Sequence, residues 1–267
     1  IFYQLPICST RRNALKAGIN AWVFGRLPLE EKLNAAKQLG FEGIELNFGD
    51  DVDEKAKVEP PSGLSLPSLC TGLFWKYPLN SPDEGIRKKG VEIGLQMVRL
   101  ASELGARTVL VVPGVNYQEV DYRKTLQVSS SSLKEIGKLA KDVGVKVGIE
   151  EVWNKMLYSP IEFADFVKAL GDSFGAYFDV GNVMEIGYPV QWARELSGII
   201  VGVHFKDYNL DRRQFVPLLQ GDVPWKEVVN ALASYQGFAI AELSQYKGDK
   251  LQAARDAASA MKTILSL

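Results

Sequence analysis

Eight short apolar segments alternate with longer helical stretches from end to end of the chain, and this alternation restricts the fold more than any other feature of the sequence. We predict strands at 18–23, 42–46, 65–71, 107–112, 145–150, 175–179, 199–204 and 237–242. Regular alternation of strands and helices is typical of parallel βαβ units. The sequence therefore predicts an α/β protein built on a parallel sheet.

Residues that favour helix ends support this division of the chain. Four predicted helices are followed by glycine, which readily takes the left-handed conformation found after a helix. These glycines are Gly40, Gly105, Gly144 and Gly171. Two of these helices, those followed by Gly105 and Gly171, are predicted to begin at 81–84 and 159–162, each with serine as N-cap, proline next and glutamate as the fourth residue. That combination caps the first turn of a helix, so the boundaries agree with the predicted strands.

A closed barrel fits the sequence better than an open doubly wound sheet. Open sheets that bind nucleotides carry a GxGxxG or Walker motif after a strand, and neither follows a predicted strand here. The chain has 267 residues, close to the size of one (β/α)8 barrel, about 250 residues. No linker or low-complexity segment divides it. We therefore predict a single (β/α)8 TIM barrel over 1–267, with 1–16 as an N-terminal extension.

The composition excludes several classes of protein. Hydrophobic residues make up 46% of the chain and charged residues 24%, which allows a large core and argues against disorder. The formal net charge is −1, so no basic excess attracts nucleic acid. No apolar run reaches the roughly 18 residues of a membrane span. We predict neither a nucleic-acid nor a membrane partner, and leave self-association into a homo-oligomer open.

The N-terminal region and the two cysteines bear on the cellular compartment. Residues 9–16 superficially resemble a twin-arginine export signal, but 17–22 is too short and polar for the apolar part of such a signal. We interpret that segment as part of the first strand and predict a cytoplasmic protein, with export as the alternative. Cys8 and Cys70 form no disulfide framework, and Cys70, in an apolar run, is predicted to be a buried, inert thiol.

Four consecutive predicted strands end on a residue type that binds metal ions. These residues are Glu150, Asp179, His204 and Glu242. In a (β/α)8 barrel, active residues come from the carboxyl ends of the strands and the loops after them. Side chains alternate along a strand, and each of the four follows an apolar residue of an outward-facing row. The alternation therefore directs all four side chains toward the barrel axis at one end.

Three carboxylates at one end of a barrel would repel each other unless a cation neutralised them. Three carboxylates and one imidazole suit an oxygen-preferring divalent ion. We predict one divalent metal ion, Mn²⁺ first, with Mg²⁺, Co²⁺ or Zn²⁺ as alternatives. Any one of these residues would by itself be interpreted as a solvated strand end, and His204 is the only histidine in the chain. Four such residues at successive strand ends, all directed toward the barrel axis, favour a metal site.

Six stretches carry a resemblance to a known family. They are Gly-Ile-Glu-Leu at 43–46, Thr-Gly-Leu-Phe-Trp-Lys-Tyr-Pro at 71–78, Ile-Glu-Glu-Val-Trp-Asn-Lys at 149–155, Phe-Asp-Val-Gly-Asn at 178–182, His-Phe-Lys-Asp at 204–207 and Ala-Glu at 241–242. At these residues the chain resembles the sugar phosphate isomerase/epimerase family, the xylose-isomerase-like barrels that include ketose 3-epimerases and hydroxypyruvate isomerases. The resemblance covers nearly the whole chain from about residue 17.

The resemblance implies a function and a set of functional residues. It implies that Glu150, Asp179, His204 and Glu242 are metal ligands, and that the two glutamates also serve as acid and base. It further implies a metal-dependent isomerase, either a ketose epimerase or an aldose-ketose isomerase, that acts on a sugar or sugar phosphate. We expect proton abstraction next to a carbonyl through an enediolate, because the two glutamates come from separate strands and can flank a bound sugar.

Two other functions are alternatives. One is a non-catalytic carbohydrate-binding barrel that keeps the ligands. The other is a metal-dependent phosphodiesterase of the endonuclease type. Such phosphodiesterases use several zinc ions and many histidines, so the single histidine and the absence of a basic excess weigh against this reading.

The sequence departs from the ketose epimerases at three points. Asn182 stands where several of them have histidine, three residues after the metal-binding aspartate. Their arginine after the histidine of the seventh strand has no clear match, and Arg212 and Arg213 are the candidates. Glu150 and Glu151 are ambiguous by motif, and the direction along the strand favours Glu150.

Several residues near the predicted strand ends are candidates for substrate contacts. They are Trp22, Trp75, Lys155, Asn182 and Lys206, with Phe24 and Trp153 as further wall residues. Tryptophan rings would form the wall of a sugar site, and lysines would bind a substrate hydroxyl or phosphate. The alternatives are packing of the tryptophans at the rim and solvated lysines on the surface.

Glu45 faces inward on the second strand, either beside the metal ligands or in a structural ion pair. Trp192 and Trp225 lie in predicted helices and are expected to pack.

Overall fold

The computed structural model of the protein describes residues 15–244, 249 and 251–267, and its centre is a parallel barrel. The described residues contain ten strands: β1 (Lys16–Asn20), β2 (Gly43–Asn47), β3 (Ser68–Cys70), β4 (Thr108–Val111), β5 (Lys146–Glu150), β6 (Phe174–Asp179), β7 (Ile200–Phe205), β8 (Asp207–Asn209), β9 (Gln214–Val216) and β10 (Phe238–Ala241). Eight of them close into a barrel in the order β1-β10-β7-β6-β5-β4-β3-β2, which confirms the predicted fold. Strands β8 and β9 form a separate antiparallel hairpin.

Helices follow seven of the eight barrel strands and pack on the barrel, whereas the fully described connection from β2 to β3 contains no helix, contrary to the predicted regular alternation. In the described part of the chain they are α1 (Leu29–Gln38), α2 (Leu73–Lys76), α3 (Glu84–Leu104), α4 (Tyr122–Val143), α5 (Pro160–Leu170), α6 (Val180–Ile186), α7 (Pro189–Glu195), α8 (Trp225–Ala231) and α9 (Gln252–Ile264). Gly105 and Gly144, each with φ of 73°, end α3 and α4 in the left-handed conformation, as predicted. The N-cap of α3 is Asp83 rather than Ser81, because the Asp83 carboxylate accepts a hydrogen bond from Ile86 N.

The ring of Tyr177 fills the interior of the barrel. Tyr177 lies on β6, is almost fully buried, and is flanked by Gly148 on β5 and Gly202 on β7. A Cβ atom at either glycine would collide with the ring. The two glycines therefore make room for one large side chain, whose hydroxyl reaches Ser68 on β3 and Glu45 on β2.

Two features of the fold differ from the sequence-based prediction. The first strand ends at Asn20 instead of residue 23, because the Asn20 side chain accepts a hydrogen bond from Trp22 N and caps a 3₁₀ turn at Ala21–Phe24. The hairpin of β8 and β9 was not predicted, and it occupies part of the connection between β7 and β10. Both differences lie at the carboxyl ends of barrel strands, where the candidate site is.

Some predictions concern residues beyond the described part of the chain. Strand β1 begins at Lys16, the last residue of the expected N-terminal extension. Cys8 and residues 9–14, most of the stretch that resembles an export signal, lie outside the described residues. None of the described helices combines the length and the apolar character that a membrane crossing requires.

Candidate metal centre and active-site cavity

The structure brings the four predicted metal-binding side chains together at the carboxyl end of the barrel. These side chains belong to Glu150 at the end of β5, Asp179 at the end of β6, His204 near the end of β7, and Glu242 directly after β10. Each offers one ligand atom, and these atoms lie within 4.8 Å of one another. The four strands are neighbours in the barrel, which is why side chains far apart in the chain form one cluster.

The His204 ring presents its two nitrogens to different carboxylates. Nδ1 faces the cluster, 2.8 Å from Glu242 Oε2, 3.3 Å from Glu150 Oε1 and 3.6 Å from Asp179 Oδ2. Nε2 lies 2.7 Å from Glu45 Oε2. Although burial lowers it, the charges of Glu242 and Glu45 hold the pKa of His204 well above its usual value.

Lys206 lies among the same carboxylates. Its Nζ is 2.7 Å from Asp179 Oδ2 and 2.7 Å from Glu242 Oε2, and it lies over the Phe215 ring, 5.5 Å from the centroid. Burial lowers the pKa of Lys206, but the charges of Asp179 and Glu242 outweigh burial and hold that pKa well above its usual value. Lys206 is therefore a charged group among the clustered carboxylates. Its predicted role was a substrate contact.

The carboxyl groups of the cluster differ in their electrostatic surroundings. Burial raises the pKa of Glu150 to about 7. Burial acts in the same direction on Asp179 and Glu242, but the charge of Lys206 outweighs it and holds the pKa of both below the usual values. The cluster therefore combines one carboxyl that titrates near neutrality with two that stay ionised.

The donor set fits a divalent cation. Asp179 Oδ1 accepts hydrogen bonds from the backbone N–H groups of Gly181 and Asn182, both at 2.9 Å, so Oδ2 is left to face the cluster. Asp179 Oδ2 and Glu242 Oε2 are buried oxygens without a hydrogen-bond partner among the described residues, although Lys206 Nζ lies within ion-pair distance of both and His204 Nδ1 lies within that distance of Glu242 Oε2. Buried carboxylate oxygens without donors require positive charge nearby. Three carboxylates and one imidazole match the ligand preferences of Mn²⁺, Mg²⁺, Co²⁺ and Zn²⁺.

Glu150 and not Glu151 belongs to the cluster. The Glu151 side chain is buried away from the four ligand atoms, and its Oε1 accepts a hydrogen bond from Asp179 N at 2.5 Å. Burial raises the pKa of Glu151 well above its usual value. The alternation of side chains along β5 predicted this division, whereas the motif alone left it open.

A cavity of about 440 Å³ opens above the cluster. Four of the five predicted substrate contacts line it, namely Trp22, Trp75, Asn182 and Lys206, together with Trp153. Trp22 and Trp75 are each 51% exposed, so their rings are accessible at the rim. The thiol of Cys70, buried as predicted, also reaches this cavity and donates to Asn47 Oδ1.

The structure does not bring every candidate to the cavity. Lys155 is exposed on a turn with φ of 63° and is not part of the cavity lining, because its backbone is held by the Tyr158 hydroxyl. Phe24 is fully buried in the core and does not form a wall. Arg213 pairs with Glu185 outside the cavity. Trp192 and Trp225 are buried and pack, as expected.

The unpredicted hairpin supplies an aromatic ring that packs on Trp153, a residue of the cavity lining, whereas Phe215 itself lines an adjoining cavity. Phe215 on β9 stacks on Trp153 with ring centroids 5.1 Å apart and an interplanar angle of 4°. Trp153 is held in place by a hydrogen bond from its Nε1 to Asn182 O at 2.9 Å. The four residues between the two strands, Leu-Asp-Arg-Arg at 210–213, contain no glycine, so the sequence carries no strong hairpin signal here.

Comparisons with known proteins agree with this architecture. The profile of the family described as xylose isomerase-like TIM barrel matches residues 33–264. L-ribulose-5-phosphate 3-epimerase UlaE of Escherichia coli (strain SMS-3-5 / SECEC) is 26% identical over 245 residues, which cover 86% of this chain and 83% of that protein.

Two solved structures share the fold. An L-ribulose 3-epimerase has a TM-score of 0.78 at 22% sequence identity, and the match covers 94% of both chains. The IOLI protein with a zinc atom bound has a TM-score of 0.80 at 20% identity, and the match covers 94% of this chain and 98% of that one.

Proposed function

The chain belongs to the xylose isomerase-like TIM barrel family, and we propose that it is a metal-dependent epimerase or isomerase of a sugar or sugar phosphate. The observation that carries this proposal is the cluster of Glu150, Asp179, His204 and Glu242 beneath an accessible cavity. The similarity to an L-ribulose-5-phosphate 3-epimerase supports 3-epimerisation of a ketose or ketose phosphate as the first activity to test.

The four clustered residues are proposed to hold one divalent ion, Mn²⁺ first. Such an ion supplies a Lewis acid that stabilises negative charge on a substrate oxygen next to the reacting carbon. Asp179 would contribute Oδ2, because the backbone N–H groups of Gly181 and Asn182 donate to Oδ1 and leave Oδ2 facing the cluster. His204 contributes Nδ1, which faces the three carboxylates.

Glu150 and Glu242 are the proposed proton carriers. They stand at the two ends of an arc of four adjacent strands, β5, β6, β7 and β10, so a sugar above the cluster can lie between them. One carboxylate takes the proton from the carbon next to the carbonyl. For epimerisation the other carboxyl returns a proton to the opposite face, and for isomerisation a proton is delivered to the neighbouring carbon.

The rim residues are proposed to bind and orient the sugar. Trp22 and Trp75 offer exposed aromatic faces for the apolar side of a sugar ring or chain. Asn182 and Lys206 line the cavity beside the cluster and offer polar groups to substrate hydroxyls. A sugar bound between these side chains would also be shielded from water at its reacting carbon.

The test is proton exchange with solvent during turnover. Ketoses and ketose phosphates are incubated with the protein and Mn²⁺ in heavy water, and product is expected to gain deuterium at the carbon next to the carbonyl. Glu150→Gln and Glu242→Gln should each lower turnover by a factor of about 10² or more, a typical loss for a general acid or base. Glu103→Gln, on the exposed surface of α3, is the matched control and should keep the wild-type rate.

Two results would contradict the proposal. Near-normal turnover in both active-site variants would exclude the two-glutamate mechanism. Binding of a sugar that is recovered unchanged and without deuterium would instead favour a non-catalytic carbohydrate-binding barrel, the alternative function that the aromatic rim would also serve.

A further inference from the structure

His204 is the only histidine of the chain, and carboxylates approach it from both sides. On one side Nδ1 faces the candidate metal ligands. On the other side Nε2 is 2.7 Å from Oε2 of Glu45, a residue of β2 that is completely buried in the barrel. The nitrogen that keeps a proton cannot bind a cation, so the contact with Glu45 decides which nitrogen is available.

Glu45 is held rigidly by three further donors from three other strands. Its Oε2 accepts a hydrogen bond from Asn20 Nδ2 at 2.6 Å, and its Oε1 accepts from Ser68 Oγ at 2.7 Å and from Tyr177 Oη at 2.6 Å. The Tyr177 ring is itself confined between two glycines and lies 4.7 Å from the His204 ring. A carboxylate with four donors in a packed barrel cannot turn away from the imidazole.

The donors around Glu45 make its contact with His204 directional. Asn20 Nδ2 donates to Oε2 of Glu45, and the hydroxyls of Ser68 and Tyr177 donate to Oε1, so Glu45 acts as an acceptor on both oxygens. Nε2 of His204, 2.7 Å from Oε2, is therefore the donor in their contact. The lone pair of Nδ1 is then the one that can face a cation.

We propose that Glu45 is a positioning residue, which keeps the proton of His204 on Nε2 and so makes Nδ1 the metal-binding atom of the cluster. This inference rests on the proposed metal site and adds to it a residue that lies outside the four ligands. Carboxylates that accept a hydrogen bond from a ligating histidine fix its orientation and increase its basicity, and their loss typically lowers metal affinity 10- to 100-fold.

The first experiment needs no variant and uses the single histidine. The protein is labelled with ¹⁵N-histidine, which yields one pair of imidazole nitrogen signals, and is titrated with the diamagnetic ion Zn²⁺. The Nδ1 signal is expected to shift on binding, while Nε2 stays protonated and its proton exchanges slowly with solvent. A shift that shows Zn²⁺ on Nε2 would overturn the inference.

The second experiment compares two variants of the same network. Glu45→Gln keeps the shape of the side chain but removes the charge that holds the Nε2 proton. Its affinity for Mn²⁺, measured by calorimetry, should fall by about 10-fold or more, and its Nε2 proton should exchange faster. Tyr177→Phe removes one donor to Oε1 but keeps the charge of Glu45, so its affinity should fall less than that of Glu45→Gln. Glu103→Gln, on the exposed surface of α3, is the control and should keep the wild-type affinity.

The outcomes separate this inference from the proposed function. Wild-type affinity and wild-type Nε2 exchange in a folded Glu45→Gln protein would overturn the positioning role and leave the metal site standing. Wild-type protein that binds no divalent ion at all would overturn the proposed function and the inference with it. Thermal unfolding of each variant shows whether it is folded, and the Zn²⁺ titration of the wild type decides the question if Glu45→Gln does not fold.

Discussion

Single side chains in this site serve two partners at once. Asp179 uses one oxygen to cap helix α6 and aims the other at the cluster. His204 uses one nitrogen for Glu45 and the other for the cluster. Because each residue is anchored by its second contact, the ligand atoms converge in the protein alone, and a cation does not have to order them.

Substitution of Asp179 should separate its two tasks. Asp179→Asn keeps an oxygen that can cap α6 but removes the charge, so Mn²⁺ affinity should fall at least about 100-fold and the buried ion pair with Lys206 is lost. Asp179→Ala should lose the affinity and the same ion pair, and should be less stable than Asp179→Asn by about 1 kcal/mol, the typical cost of losing an N-cap. Calorimetry and thermal unfolding measure the two effects, and wild-type affinity in Asp179→Asn would exclude Asp179 as a ligand.

Lowering the pH should weaken the binding of a divalent ion. A cation can bind Nδ1 of His204 only after its proton leaves. Although burial lowers it, the charges of Glu242 and Glu45 hold the pKa of His204 well above its usual value, so the proton still competes near neutrality. Affinity should therefore rise with pH and continue to rise above the usual imidazole range, about pH 6.5. Calorimetry in two buffers of different ionisation enthalpy should detect proton release, and a flat profile would count against His204.

At the scale of elements, strands place the four candidate metal ligands, and the connections between elements shape the cavity. The ends of β5, β6 and β7 and the residue after β10 hold the cluster. The hairpin of β8 and β9 brings Phe215 against Trp153, which belongs to the connection after β5. The cavity wall thus depends on packing between two connections that are far apart in the chain.

Removing the Phe215 ring should affect substrate binding more than metal binding. Phe215→Ala loses a stacked aromatic pair, about 1 kcal/mol, so KM for a confirmed substrate should rise about fivefold. Mn²⁺ affinity should stay at the wild-type value. Leu210→Ala is the control, since Leu210 is exposed in the same hairpin and does not line the cavity. Equal KM values in both variants would show that the stacked pair does not orient the sugar.

At the scale of the whole molecule, closure of the barrel makes the cluster. In the ring of strands, β5, β6, β7 and β10 are successive neighbours, and the register pairs Asp179 and Ile240 with the same residue, His204. Three carboxylates in one place cost folding free energy through repulsion and desolvation. A bound divalent ion should therefore stabilise the entire fold.

Mn²⁺ should raise the unfolding temperature of the wild-type protein. At a concentration about 100 times the Kd, a ligand that binds only the folded state stabilises it by about 2.7 kcal/mol. For a domain of this size that corresponds to about 5–10 °C in Tm. The chelator EDTA should reverse the shift, and Asp179→Asn should show none. An identical Tm with Mn²⁺ and with EDTA would contradict a metal site in the folded barrel.

Local patterns in the sequence were sufficient for the fold and for the directions of the ligands. Alternation of apolar and polar residues has a period of two in a strand, so the side of the barrel that Glu150 faces could be read without a structure. The same rule separated Glu150 from Glu151. These patterns did not determine where each strand ends. The end of β1, for example, depends on a single hydrogen bond from Trp22 N to the Asn20 side chain.

Contacts between distant segments were decided only by the tertiary structure. Glu45 and His204 are 159 positions apart, and an inward direction on β2 did not reveal which partner Glu45 would meet. The sequence likewise did not show that Lys206 would pair with the carboxylates or that Phe215 would stack on Trp153. It also did not show that Lys155 would lie outside the cavity. Periodicity determines which face a residue lies on, but barrel closure and loop packing determine what it touches, because those depend on the whole chain being folded.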